Sequence, residues 1–210
     1  MGVKMRRKTG KRAGAVIVLL VCIVIAVLGF MRLRFRGSIV VHAGEMISSN
    51  PKIVFYRQDD EQWAAEAMGD SIYTLGKSGC LVSCIASAVT MAGDEKTPYD
   101  LNEMFSRQNV YDAEGNLLWD NLRNTGEYEA EVFGSVTEEL LTSLLKEGKY
   151  PIVRVRMYGL GNFHYVLIVK AEDGEYYCMD PLRDGLAPLS LYGNRVYAVR
   201  CVYLKSDYLK

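Results

Sequence analysis

Lys77-Ser78-Gly79-Cys80-Leu81-Val82-Ser83-Cys84-Ile85-Ala86-Ser87-Ala88-Val89-Thr90-Met91 is the stretch from which the fold is read. Gly79 punctuates the chain. Leu81, Ile85, Ala88, Val89 and Ala92 then recur at helical spacing, with Gly93 as a candidate C-cap. Cys80 therefore stands at the start of a largely apolar helix. His164 is the only histidine downstream of His42, and it opens Tyr165-Val166-Leu167-Ile168-Val169, a run with the composition of a central strand. Asp180 closes the strand after it.

These three residue types have complementary chemistry. A helix N-terminus and a nearby imidazolium each stabilise a thiolate, the nucleophilic form of cysteine. An imidazole holds the proton and returns it to a leaving amine. A carboxylate on the other ring nitrogen fixes the tautomer. Each residue also has a purely structural reading. Free cysteine is commonly a small buried hydrophobe, a strand histidine can be a satisfied core group, and Asp before Pro181 suits a strand-ending turn. Cys84, one turn further in, is read as helix core, beyond the reach of the helix terminus.

The chain around these residues reads as one α+β domain. Ile53-Val54-Phe55-Tyr56 has the composition of a short strand. Thr97-Pro98 starts a helix with Pro in its first turn. Leu117–Arg123 reads as a short helix, and Ser135-Val136-Thr137-Glu138 has the form of a capping box before Leu140-Leu141. From Pro151 the period changes to that of strands: 152–156, 163–170, 176–179 and 196–204, with Asp173-Gly174 as a hairpin turn. Helices first and an antiparallel sheet after is an α+β pattern.

The N-terminal 36 residues stand apart. They hold nine Lys/Arg and no Asp/Glu, split around the uncharged run Ala13–Met31. Its 19 residues are close to the about 20 needed to span a bilayer. A signal-peptide core is shorter and precedes a small-residue cleavage site, so a retained anchor is expected, with a cleaved signal as the lesser reading. Residues 1–12 form a basic tail, 32–52 a juxtamembrane stalk and 53–210 the domain. Six basic residues before the helix against three after it place the N-terminus in the cytoplasm and the domain outside.

Residues 37–210 carry a formal charge of −9, so the net neutrality of the chain is a sum of opposites. An acidic domain argues against a nucleic-acid partner. Long-range attraction instead favours a basic peptide. Four cysteines come after the anchor, Cys80, Cys84, Cys178 and Cys201, an even number that permits disulfides. A zinc site from Cys80, Cys84, Cys178 and His164 lacks the close cysteine pairs of structural zinc. No metal or cofactor is implied, and the oligomeric state is left open.

Four local words carry a resemblance. Gln58-Asp59-Asp60-Glu61-Gln62-Trp63 comes first, then the block from Ile72 through Gly79-Cys80-Leu81, then Phe163-His164-Tyr165-Val166, then Met179-Asp180-Pro181. In this order and spacing they resemble the bacteriocin-processing, double-glycine-leader type of papain-like cysteine peptidase, over roughly residues 53–182. The resemblance implies a papain-like fold, a Cys80-His164-Asp180 triad, and the Gln58 side-chain amide as an oxyanion donor beside the Cys80 N–H. One anchor and no Gly-x-x-x-x-Gly-Lys motif depart from the transporter-fused members. A surface or secreted peptide, or a cell-wall amide, fits that topology better than a leader peptide. Hydrolysis, acyl transfer such as transpeptidation on the same triad, and an inactive binding module all remain open on these words, since fold does not separate them.

Overall fold

The computed structural model describes residues 6–48 and 52–205. Residues 1–5 of the expected tail and 49–51 of the expected stalk lie outside the described residues. The chain divides into two compact units, Met1–Gly37 and Ser38–Lys210.

In the first unit, α1 runs from Arg6 to Phe35. Its segment Gly14–Phe35 has 22 residues and a mean hydropathy of 3.1. At the helical rise this is about 33 Å, enough to cross a hydrocarbon core. Its valines, leucines and isoleucines are exposed. That is the surface of an apolar helix that needs lipid or removal.

The second unit is built on a six-stranded antiparallel sheet. Its strands are β2 (Tyr128–Phe133), β3 (Ile152–Arg156), β4 (Phe163–Glu172), β5 (Glu175–Met179), β6 (Leu186–Pro188) and β8 (Ala198–Leu204), in the order β2-β8-β3-β4-β5-β6. Two-residue strands β1 (Ile39–Val40) and β7 (Arg195–Val196) pair separately. Helices α2 (Leu75–Ser78), α3 (Cys80–Met91) and α4 (Pro98–Arg107) precede the sheet in sequence, and α5 (Glu138–Lys146) lies between β2 and β3.

The sheet buries both faces. Leu81, Val82, Ile85 and Val89 of α3 share a core with Ile152, Leu167, Val169, Met179 and Val202. On the other face Leu141, Leu144 and Leu145 of α5 pack on Val153, Val155, Val166, Ile168 and Val199. Burial on both sides explains the continuous apolar run Tyr165–Val169 in β4, whereas β3 alternates buried Val153 and Val155 with half-buried Arg154 and Arg156. Asp173 (φ 51°) and Gly174 (φ 79°) make the tight turn that joins β4 to β5.

Several sequence expectations shift. The stretch 53–56 forms no strand. Ile53 and Tyr56 pack on the core, and the backbone after them is held by the Gln58 N–H donating to Pro181 O at 2.9 Å. The N-cap of α5 is Thr137, whose hydroxyl accepts from Leu140 N at 3.1 Å, so the cap begins two residues later than the Ser135 reading. A full capping box occurs instead at Thr97, paired with Asp100. Residues 117–123 become a 3-10 turn over Trp119–Thr125. Edge strand β2 is absent from the sequence reading because Glu129, Ala130 and Glu131 are weak strand formers.

The stalk expected over 32–52 is shortened most. Val41 is fully buried and donates its N–H to Asn194 O, Ala43 is buried, and Ile47 bridges to Ala171. Residues 38–47 thus belong to the domain, because Val41, Ala43 and Ile47 pack in the same core as α5 and the sheet. Val41→Ala is expected to cost about 2 kcal/mol, read as a lowered urea midpoint. A chain beginning at Ile53 should melt below one beginning at Ser38.

Candidate active site

Cys80 is the first residue of α3, and the way it gets there depends on two glycines. The short helix α2 closes onto Gly79, whose N–H donates to Leu75 O at 2.7 Å. A Cβ on Gly79 would stand 2.5 Å from Leu75 O and 2.8 Å from Leu75 Cα. One on Gly76 would stand 2.8 Å from Ala64 O. Only a bare Cα lets the chain turn this tightly into α3. As the leading residue of the helix, Cys80 has an N–H with no intrahelical acceptor, and its side chain is partly exposed in a cleft.

The cleft also contains His164 and Gln58, and its walls include Met68, Tyr73, Trp119 and Phe163. His164 is 4% exposed and its Nε2 lies 2.6 Å from Asp180 Oδ1. With Nε2 engaged, Nδ1 is the ring nitrogen left for the thiol. Burial pulls the imidazole pKa down, but hydrogen bonding to Asp180 and to Cys80, and the charges of both, outweigh it and hold it at about 9. The ring is therefore cationic at neutral pH.

Asp180 is 1% exposed and has a full set of partners. Oδ1 also accepts from Leu182 N at 2.9 Å. Oδ2 accepts from the buried Tyr192 hydroxyl and lies 3.4 Å from Arg183 Nε. Burial pushes the carboxyl up, and these contacts, His164 foremost, bring it below its ordinary value. Tyr192 ends a 3-10 turn over Leu189–Tyr192. Its hydroxyl pKa is raised by burial and by Asp180, so it stays a donor. Sequence reasoning missed Tyr192, and no local signal marks it. Arg183 also lies over the exposed Tyr158 ring, 5.7 Å from its centroid.

Gln58 is 3% exposed, and its side-chain Nε2 donates one proton to Gly76 O at 2.9 Å. An amide NH2 has two protons, so one remains for another acceptor in the cleft. The local word that marked Gln58 holds itself together. Trp63 Nε1 donates to Arg57 O at 2.7 Å, and the Arg57 guanidinium bridges Asp59 and Asp184 at 2.9 and 3.0 Å.

The four residues expected at the site, Cys80, His164, Asp180 and Gln58, are brought together. The other cysteines are not part of it. All five thiols are free. Cys84 donates to Tyr165 O at 3.5 Å, and burial raises the Cys84 and Cys178 thiols well above their ordinary value. Burial pushes Cys201 up to about 12. Among the described residues no cluster of three His, Cys, Asp or Glu is placed to hold a metal.

No protein-family model matches the chain, and no curated protein matches it. Among solved structures, it is similar to one from Bacillus anthracis assigned as a C39-like peptidase, at 12% identity and a TM-score of 0.48, over 76% of this chain and 98% of that one. The likeness is loose, and the chemistry of the cleft rests on its own residues.

The chain has two histidines, so His164 is readable by NMR. It should titrate near pH 9 and move down in Cys80→Ala and in Asp180→Asn. Because the folded value lies above the ordinary 6.5, its contribution to stability is complete below about pH 6.5 and is lost as pH rises through about 9. Urea midpoints measured across that window should fall. Gly79→Ala should displace the start of α3, lowering the thermal midpoint and the reactivity of Cys80 together.

Proposed function

We propose that this protein is a membrane-anchored cysteine peptidase that hydrolyses a peptide or cell-wall amide bond outside the cytoplasm. The observation that carries this reading is the buried His164 imidazole, bound through Nε2 to Asp180 and lining the same cleft as the Cys80 thiol at the head of α3. The order of cysteine on a helix, histidine on a strand and acid after the next strand is that of papain-like enzymes, and the packing of α3 on an antiparallel sheet suits that fold.

In the proposed reaction the Cys80 thiolate attacks the scissile carbonyl carbon and forms a tetrahedral oxyanion. The Cys80 N–H and the spare proton of Gln58 Nε2 stabilise the oxyanion. His164 gives its Nδ1 proton to the departing amine, leaving a thioester on Cys80. A water molecule then attacks the thioester, His164 takes its proton, and the carboxylic acid leaves. Asp180 keeps its charge throughout and holds the ring. The free state of Cys80 supports the enzyme reading over an inactive binding module, because a disulfide would remove the nucleophile.

The location rests on composition. Residues 13–31 anchor the chain, and the excess of basic residues before them retains the N-terminus in the cytoplasm.

A thiol-directed, peptide-like covalent probe tests this directly. Labelling should vanish in Cys80→Ala, collapse in His164→Ala and survive in Cys84→Ala. Labelling that ignores His164 would sink the peptidase reading. With a turned-over peptide, Gln58→Ala should lower kcat by roughly 10²–10³, the usual loss of one oxyanion donor.

A further inference from the structure

The sheet face that packs on α3 also carries arginines. Along β3, Arg154 and Arg156 alternate with buried Val153 and Val155, so they share the face of Ile152. Arg200 joins them from β8. Ile152 is paired with Arg200 and Arg154 with Ala198, which makes Arg154 and Arg200 diagonal neighbours. Across β4, Tyr165 pairs with Arg154 and Phe163 with Arg156. The guanidinia of Arg154 and Arg156 lie over the Phe163 ring, 4.3 and 4.0 Å from its centroid, and that of Arg200 lies over Trp119 at 5.4 Å. Phe163, Tyr165 and Trp119 are also walls of the cleft that holds Cys80 and His164. The arginine patch and the cleft are continuous through these rings.

Two of these arginines are poorly satisfied. The buried Nε atoms of Arg154 and Arg200 have no hydrogen-bond partner, and neither side chain forms an ion pair among the described residues. Arg200 reaches the carbonyl of its neighbour Val199 at 3.2 Å, and Arg156 is held by Gly161 O at 3.0 Å. Elsewhere in the domain Arg57, Arg107, Lys146 and Lys149 each sit on a carboxylate. On the edge strand β2, Val132 is the residue opposite Arg200, and Glu131 pairs with Cys201 on the other face of the sheet. Burial lowers the Arg200 pKa, the Arg154 charge adds to the fall and Tyr165 opposes it. Two adjacent cations in an acidic domain, each over an aromatic ring and with no ion-pair partner among the described residues, leave room for an anion from outside. A guanidinium stacked on a ring keeps its edge free for a carboxylate, which it binds in bidentate fashion.

We infer that Arg154 and Arg200 form a carboxylate-binding subsite at one end of the cleft, so that the substrate is a peptide bearing a carboxylate within a few residues of the scissile bond. The carboxylate comes from an Asp or Glu side chain or from the peptide's own C-terminus. This rests on the peptidase reading for its connection to a scissile bond. Its sign is opposite to the basic peptide that the charge of the whole domain favours. Contact recognition on a half-buried patch outweighs a screened long-range field.

Peptides that differ only by Glu or Gln at successive positions, each as free acid and as C-terminal amide, separate the two sources of carboxylate. Cleavage by the native protein and binding to Cys80→Ala, followed by fluorescence anisotropy, are both measured. At one position, or at the terminus, the carboxylate form should be favoured about tenfold in kcat/KM and in affinity. Arg154→Gln and Arg200→Gln should each erase most of that ratio, with Arg154→Lys and Arg200→Lys in between and available if the glutamine variants do not fold. The subsite is refuted if no position discriminates in the native protein, or if discrimination survives in the folded arginine variants. Acidic peptides bound by Cys80→Ala but never cleaved by the native protein would remove the peptidase reading and keep the subsite. Cleavage without preference would do the reverse.

Discussion

The hydrogen bond between His164 and Asp180 is the contact on which the rest of the cleft depends. A carboxylate that is 1% exposed is costly to bury unless its oxygens are occupied. Asp180 meets that demand with groups from three parts of the chain: His164 of β4, Leu182 and Arg183 of the turn after β5, and Tyr192 of the 3-10 turn. The same carboxylate therefore ties those segments together and sets the ring. Remove its charge and the imidazole loses its orientation as well as the partner that keeps it cationic.

The thiol is placed by a different kind of constraint. α3 is fixed by apolar packing against Leu167, Val169 and Met179, and its start is fixed by the close approach at Gly79. Hydrophobic contacts decide where the helix lies but not which residue leads it. The backbone contact with Leu75 does that, and it puts a cysteine there. Four residues on, Cys84 has the same side chain in the same helix and a different fate. It is enclosed by the core, where burial suppresses ionisation. Exposure to the cleft follows from position along the helix and not from residue type.

Charge acts on two length scales in this domain. The net −9 of residues 37–210 sets a diffuse field that salt screens. Beside the cleft the local arrangement is the opposite, with Arg154, Arg156 and Arg200 over Phe163 and Trp119. Composition averages over both scales and shows only the first. Register across three strands produces the second, because it brings arginines from β3 and β8 to one face beside aromatics of β4.

The amino-acid sequence by itself determined what depends on neighbours in the chain. The Gly79-Cys80 junction, the helix over 80–91, the Thr97-Pro98 start, the Asp173-Gly174 turn and the apolar run 13–31 all come from periodicity, capping and turn chemistry within a few residues. The four candidate site residues were legible too, but only as words in order. Tertiary structure alone decided that they meet. It also decided that Tyr192 completes Asp180, that residues 38–47 cover the sheet and are no stalk, that 53–56 is held without a ladder, and that β2 forms an edge. Those outcomes depend on which strands pair, in which register, and what each pairing buries. Such choices are made between segments far apart in the chain, where local pattern carries no information.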